Sequence, residues 1–120
     1  MMDRFVKSLV ERFPGLKVSL DEHIKSQRGS ILAHIFFWDV INYVLSLVRL
    51  GSVESLNEVR NLLQFLEDHY LEGDDNYEVR NLIQVSFLED IQHEGELTEQ
   101  IVGMLGPKLK ALWVEHGFRS

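Results

Sequence analysis

The sequence predicts an all-α, compact single-domain bundle of five to seven helices covering residues 1–120, with a repeat-like helical pair inside it. Three observations lead there. Apolar residues recur at helical spacing along most of the chain. Only two prolines, Pro14 and Pro107, interrupt 120 residues, so long helices run unbroken. Hydrophobic residues make up 45% and charged residues 26%, an ordinary globular balance that argues against disorder.

Phe5, Val6, Leu9, Val10 and Phe13 form one apolar stripe and predict a first helix over Asp3 to Phe13. Pro14-Gly15 stops it. A short helix is expected over Leu20 to Ser26, with Ser19 as cap and Asp21 and Glu22 in its first turn. The next helix is expected from Ser30 to Gly51, as the spine of the core. Its polar residues Asp39, Asn42, Ser46 and Arg49 share one narrow stripe with His34 at the edge, and the rest is apolar. That span is also long enough to cross a membrane. A central Asp39 costs roughly 2.5–3.5 kcal/mol there, so a buried helix of a soluble bundle is the better expectation.

Ser52 suits the N-cap of a helix over Val53 to Leu71. Gly73-Asp74-Asp75-Asn76 reads as a turn, with Asn76 capping a helix over Tyr77 to Ile91. His93-Glu94-Gly95 breaks it. Glu96 to Leu105 follows, and Gly106-Pro107 opens a last helix ending at Gly117. Residues 58–68 read EVRNLLQFLED and residues 78–90 read EVRNLIQVSFLED, the same string with two residues inserted. Two copies are too few for an open solenoid, so a solenoid-like pair within a compact bundle is expected.

The chain has no cysteine, which removes disulfides, zinc thiolates and cysteine nucleophiles. It contains no G-x-G-x-x-G, Walker, G-x-S-x-G or H-E-x-x-H string. His34 and Asp39 stand about 140° apart on a helix and do not share a ligand geometry. His34 is expected to make a structural hydrogen bond, and His23 to lie in solvent. His69, His93 and His116 fall at or near helix ends, where a cation suits the dipole. No catalytic residue, metal site or cofactor is expected, and the chain is not expected to be an enzyme.

Charge is the uneven feature. The net charge is −7, yet residues 51–100 hold thirteen acids against Arg60 and Arg80 alone. The acids gather at Glu67, Asp68, Glu72, Asp74, Asp75 and Glu78 around one connection, and at Glu89, Asp90, Glu94, Glu96 and Glu99 around the next. Antiparallel helices would set these at opposite ends. Such a surface suits a basic protein partner and repels nucleic acid. The candidate partner-binding residues are Glu67, Asp68, Tyr70, Glu72, Asp74, Asp75, Tyr77 and Glu78, the two tyrosines serving as anchors.

The strings EVRNLIQVSFLEDI and GMLGPKLKALW resemble the C-terminal signature of a family of small, uncharacterised, all-helical bacterial proteins. LAHIFFWDV, carrying His34 and Asp39, resembles that family's central helix, and the similarity spans roughly residues 30–113. Those proteins resemble immunity proteins of contact-dependent and polymorphic toxin systems. The resemblance implies a cytoplasmic toxin inhibitor that binds one cognate toxin, here a basic nuclease domain, and blocks its active site or substrate surface. It supplies no site residues. The alternative is a helical adaptor or scaffold without catalytic activity. A third expectation, an enzyme, would need a pocket converging on His34 and Asp39. No nucleic-acid or membrane partner is expected.

Overall fold

In the computed structural model, which describes residues 2–116, the apolar stripe of the first segment forms α1 (Met2–Arg12). Phe5, Val6, Leu9 and Val10 face inward along it. A 3-10 turn, Pro14–Leu16, leads directly into α2 (Lys17–Ser26). The helix therefore starts ahead of Ser19, which lies inside it and caps nothing. Residues 27–32 form the connection to α3 (Ala33–Leu50), which begins later than Ser30. The α3 start is held by His23. Its Nε2 accepts the Leu32 N–H at 2.9 Å, one of the donors a helix start leaves unpaired. His23 is therefore buried, contrary to the expectation that it lies in solvent.

The α3 helix buries Ala33, Phe36, Phe37, Val40, Ile41, Val44, Leu45 and Val48. It is long and apolar enough to cross a membrane, but its packed side lies within this core. It is not wrapped on every side, as the thin polar stripe suggested. Leu32, Ile35 and Trp38 are exposed at its N-terminal end, Trp38 by 67%. Gly51 closes the helix in the left-handed region, φ 67°, where glycine carries no Cβ penalty. Ser52 then caps α4 (Val53–His69), its hydroxyl accepting the Ser55 N–H at 3.1 Å.

After a 3-10 turn, Asp74–Asn76, the fifth helix starts at Tyr77. Asn76 stands at the cap position without capping through its side chain, which donates instead to the Glu72 carbonyl at 3.1 Å. The helix, α5, is α-helical over Tyr77–Ile83, π-helical over Gln84–Leu88 and α-helical again over Glu89–Ile91. The two residues inserted in the second EVRNL copy, Val85 and Ser86, lie in the π segment. The wider i→i+5 turn takes up extra chain while Phe87 and Leu88 stay in the core. The two copies otherwise bury matching positions: Val59, Leu62 and Leu63 in α4, and Val79, Leu82 and Ile83 in α5. Ser86, also buried, meets His34 Nδ1, the structural hydrogen bond expected of His34.

The chain ends its described part with α6 (Glu96–Gly103) and α7 (Pro107–Glu115). The expected stop at Gly117 lies outside the described residues. Among the described residues there are thus seven helices and no strand. The radius of gyration is 13.8 Å, close to the roughly 13.6 Å of a compact chain of this length. One core, centred on α3, runs from Phe5 to Trp113, so the all-α single domain stands.

Candidate partner-binding surface

The acidic connection between α4 and α5 is built around Arg80. One turn into α5, its Nη1 donates to the carbonyls of Leu71 at 2.6 Å and Gly73 at 2.7 Å. Nη1 serves both because it carries two N–H donors, one for each carbonyl. The loop is therefore clamped from below, and its side chains project outward. Glu72, Asp74, Asp75 and Glu78 are exposed, as is Asp68 on the last turn of α4. Asp68 accepts from Gln64 Nε2 at 2.8 Å. Among the described residues no lysine, arginine or histidine lies within ion-pair distance of any of these five carboxylates, whereas Lys17 pairs with Asp21. Asp74, Asp75 and Glu78 stand in the first turns of their helical segments, where the macrodipole favours an acid by about 0.3–1 kcal/mol each. That offsets part of their mutual repulsion without neutralising the surface.

Two tyrosines flank the loop differently. Tyr77 is 61% exposed and stands among the acids. Tyr70 is half-buried and lines a groove of about 410 Å³ with Glu72, Gln84, Lys108, Leu112 and Glu115. Burial pushes its phenol above the ordinary range, Arg80 draws it down, and Glu72 and Glu115 raise it.

Glu67 is not part of this surface. It is 4% exposed, and its carboxylate accepts the backbone N–H groups of Lys108 at 2.9 Å and Leu109 at 3.0 Å. Pro107 occupies the first position of α7 and has no N–H, so these are the next two donors of that helix start. Glu67 thus caps a helix 41 residues away. The cap requires Gly106, where a Cβ would come 2.7 Å from the Glu67 carboxyl. The sequence signal for this was the i, i+3, i+4 spacing of Val59, Leu63, Leu66 and Glu67, which puts Glu67 beside the buried stripe rather than opposite it.

The second acidic cluster meets α3. Asp90, His93 and Glu94 border a hollow of about 300 Å³ with Trp38, Ile41 and Asn42. Thr98 fixes this connection: its buried hydroxyl donates to the Ile91 carbonyl and accepts the Glu94 N–H at 3.0 Å. The two clusters lie at opposite ends of α5, about 20 Å apart at 1.5 Å per residue. Burial raises the Asp90 carboxyl, Glu89 raises it further, and His93 lowers it. Burial likewise raises Asp39, which His23 lowers and Glu22 raises. Among the described residues no group of three His, Asp or Glu side chains has a metal-holding arrangement. His34 and Asp39 do not converge: His34 turns to Ser86, while Asp39 lies within the electrostatic reach of His23 and Glu22.

The family described as "Domain of unknown function (DUF7674)" matches residues 6–119. The chain belongs to the DUF7674 family. No curated protein and no solved structure matches it. In this DUF7674 domain the matched span takes in every described helix apart from the first turn of α1, so both acidic connections and the Glu67 cap lie within it.

Proposed function

We propose that this DUF7674 domain is an inhibitor of a basic protein, specifically an immunity protein that neutralises a cognate nuclease toxin in the cytoplasm. The observation that carries the reading is the clamped loop 68–78, with five exposed carboxylates lacking ion-pair partners among the described residues. A loop held by Arg80 presents its charge without a large ordering cost on binding. Asp68, Glu72, Asp74, Asp75 and Glu78 would occupy a cationic groove shaped for nucleic-acid phosphates, with Tyr77 as the exposed aromatic anchor. Tyr70 supports the loop from its groove. Inhibition would be steric and electrostatic, requiring no chemistry from the inhibitor. The resemblance of the 78–91 and 103–113 strings to immunity proteins supports the same reading. A helical adaptor is the second reading. It is favoured by two different acidic surfaces at opposite ends of α5.

The test has two steps. Tagged protein is used to capture partners from the source cells, and the captured protein's cleavage of RNA or DNA is assayed with and without the inhibitor. Stoichiometric suppression of a basic nuclease is expected; a captured partner with no nuclease activity would overturn the reading. Charge reversal at Glu72, Asp74, Asp75 and Glu78 should then slow association at least about tenfold and flatten its salt dependence. Helicity should be unchanged. Unaltered association kinetics would remove loop 68–78 from the interface.

A further inference from the structure

The hollow between α3 and the α5–α6 connection joins four kinds of chemistry that one side chain can use together. Trp38 offers an indole face to solvent although α3 is a core helix. Ile41, 7% exposed, gives an apolar wall. Asn42 offers an amide. Asp90 and Glu94 stand at i, i+4 on the facing connection, neither with an ion-pair partner among the described residues. At about 300 Å³ the space lies at the lower limit for small-molecule pockets, a scale suited to a single side chain. The geometry points to a receptor for an arginine side chain of a protein partner, its guanidinium stacked on Trp38 and bridged to Asp90 and Glu94, its methylenes against Ile41.

Arginine fits better than lysine. A planar guanidinium stacks on an indole and offers its donors to two carboxylates at once, whereas an ammonium is a compact, strongly hydrated point charge. The receptor is also preformed. Thr98 ties Ile91 to Glu94 from beneath, and the buried neighbours Phe37 and Val40 fix the Trp38 end of α3. Desolvation already disfavours the Asp90 charge, and the neighbouring Glu89 adds to it; the attraction of a bound cation favours the charged form against both. His93 stands on the rim of the hollow. The site stands whether or not loop 68–78 meets a toxin, because none of its residues belongs to that loop.

The test uses the whole chain and a short blocked peptide, acetyl-Gly-Arg-Gly-amide, with the neutral citrulline analogue as its control. The readout is the indole N–H resonance of Trp38, with the largely buried Trp113 as internal reference. A saturable shift is expected for Trp38 alone, with a dissociation constant on the order of millimolar. The citrulline peptide should give no saturable shift, and a lysine peptide should bind at least about threefold more weakly. Asp90→Asn and Glu94→Gln, checked for unchanged melting or better, should each weaken the arginine peptide by about threefold or more. Equal shifts with citrulline, no saturation, or an Asp90→Asn titration identical to the parent would each overturn the assignment. These outcomes involve no toxin, so they separate failure of this site from failure of the inhibitor reading.

Discussion

Glu67 and Gly106 act as one unit, and the size of that unit follows from its hydrogen bonds. Replacing Glu67 by Ala strands the Leu109 N–H, which belongs to a fully buried residue; an unpaired buried donor costs about 1–3 kcal/mol. The Lys108 N–H lies nearer solvent and is recovered in part by water, so its loss resembles an ordinary cap deletion of about 1 kcal/mol. The carboxylate's attraction to the helix dipole adds up to about 1 kcal/mol. Removing a buried charge returns some desolvation, which leaves roughly 3 kcal/mol for Glu67→Ala. At about 4 °C per kcal/mol for a chain of this size, the melting temperature should fall by about 12 °C. Glu67→Gln keeps one acceptor and should fall about half as far. Gly106→Ala drives its Cβ into the Glu67 carboxyl and should cost roughly 2 kcal/mol alone. In the Glu67→Ala background that clash is gone. The double variant should therefore be about 1–2 kcal/mol more stable than the summed single effects. Thermal and urea unfolding followed by circular dichroism measure all four corners of the cycle. Additive costs, or a Glu67→Gln variant that melts within about 2 °C of the parent, would refute the cap. Association with a basic partner should be unaffected by Glu67→Gln, since this acid faces inward.

Two further outcomes concern the Trp38 end. Thr98→Val keeps the shape but removes the hydroxyl bridging the Ile91 carbonyl and the Glu94 N–H, leaving them only their own 3.2 Å backbone bond. It should cost about 1 kcal/mol and accelerate hydrogen exchange at the Glu94 amide, and unchanged exchange there would contradict the role given to Thr98. The folded-state carboxyls of Asp39 and Asp90 sit above their ordinary value of 3.8. Between the unfolded and folded values the native state holds more protons, so stability from these groups falls as pH rises through that window. Asp39→Asn and Asp90→Asn should therefore be more stable than the parent at neutral pH, with the gap closing as pH falls below the ordinary carboxylate range. A gap that is constant with pH, seen in urea midpoints, would show that the charges are not responsible.

The helices were largely legible because their signals are local. Proline and glycine stops, the Ser52 cap and the apolar stripes of α1, α4 and α5 are read from neighbouring residues. What escaped depends on contacts across the chain. The start of α3 is set by His23, nine residues earlier, so Ser30 was the wrong boundary and His23 the wrong side of the surface. Glu67 was counted with the acids around it because its partners are 41 and 42 residues away. Trp38 reads as a core residue because it is apolar on a largely apolar helix. Yet His34, Trp38, Asn42 and Ser46 form one row at i+4 spacing, and all four are exposed. The row of polar neighbours on either side carried the information; the hydrophobicity of tryptophan outweighed it.

The two EVRNL copies explain how similar strings came to do different work. In α4 the sequence FLED follows the copy without interruption. Glu67 lands beside the buried stripe and turns inward to the start of α7, while Asp68 stays in solvent. In α5 the inserted Val85-Ser86 rotates everything after it, and the π segment absorbs the change while keeping Phe87 and Leu88 buried. The roles of the two acids then exchange. Glu89 faces solvent, and Asp90 is the half-buried one, beside Trp38. Ser86, brought inward by the same turn, meets His34 one helical turn before Trp38 on α3. A two-residue insertion thus converts a structural acid into one that lines a hollow, and it does so where α3 leaves its indole uncovered. Deleting Val85 and Ser86 tests this directly. The deletion should restore α-helical pairing through α5, turn Asp90 toward solvent and abolish the Trp38 response to an arginine peptide. Retention of that response in a folded deletion variant would show that the π segment has no part in aiming Asp90.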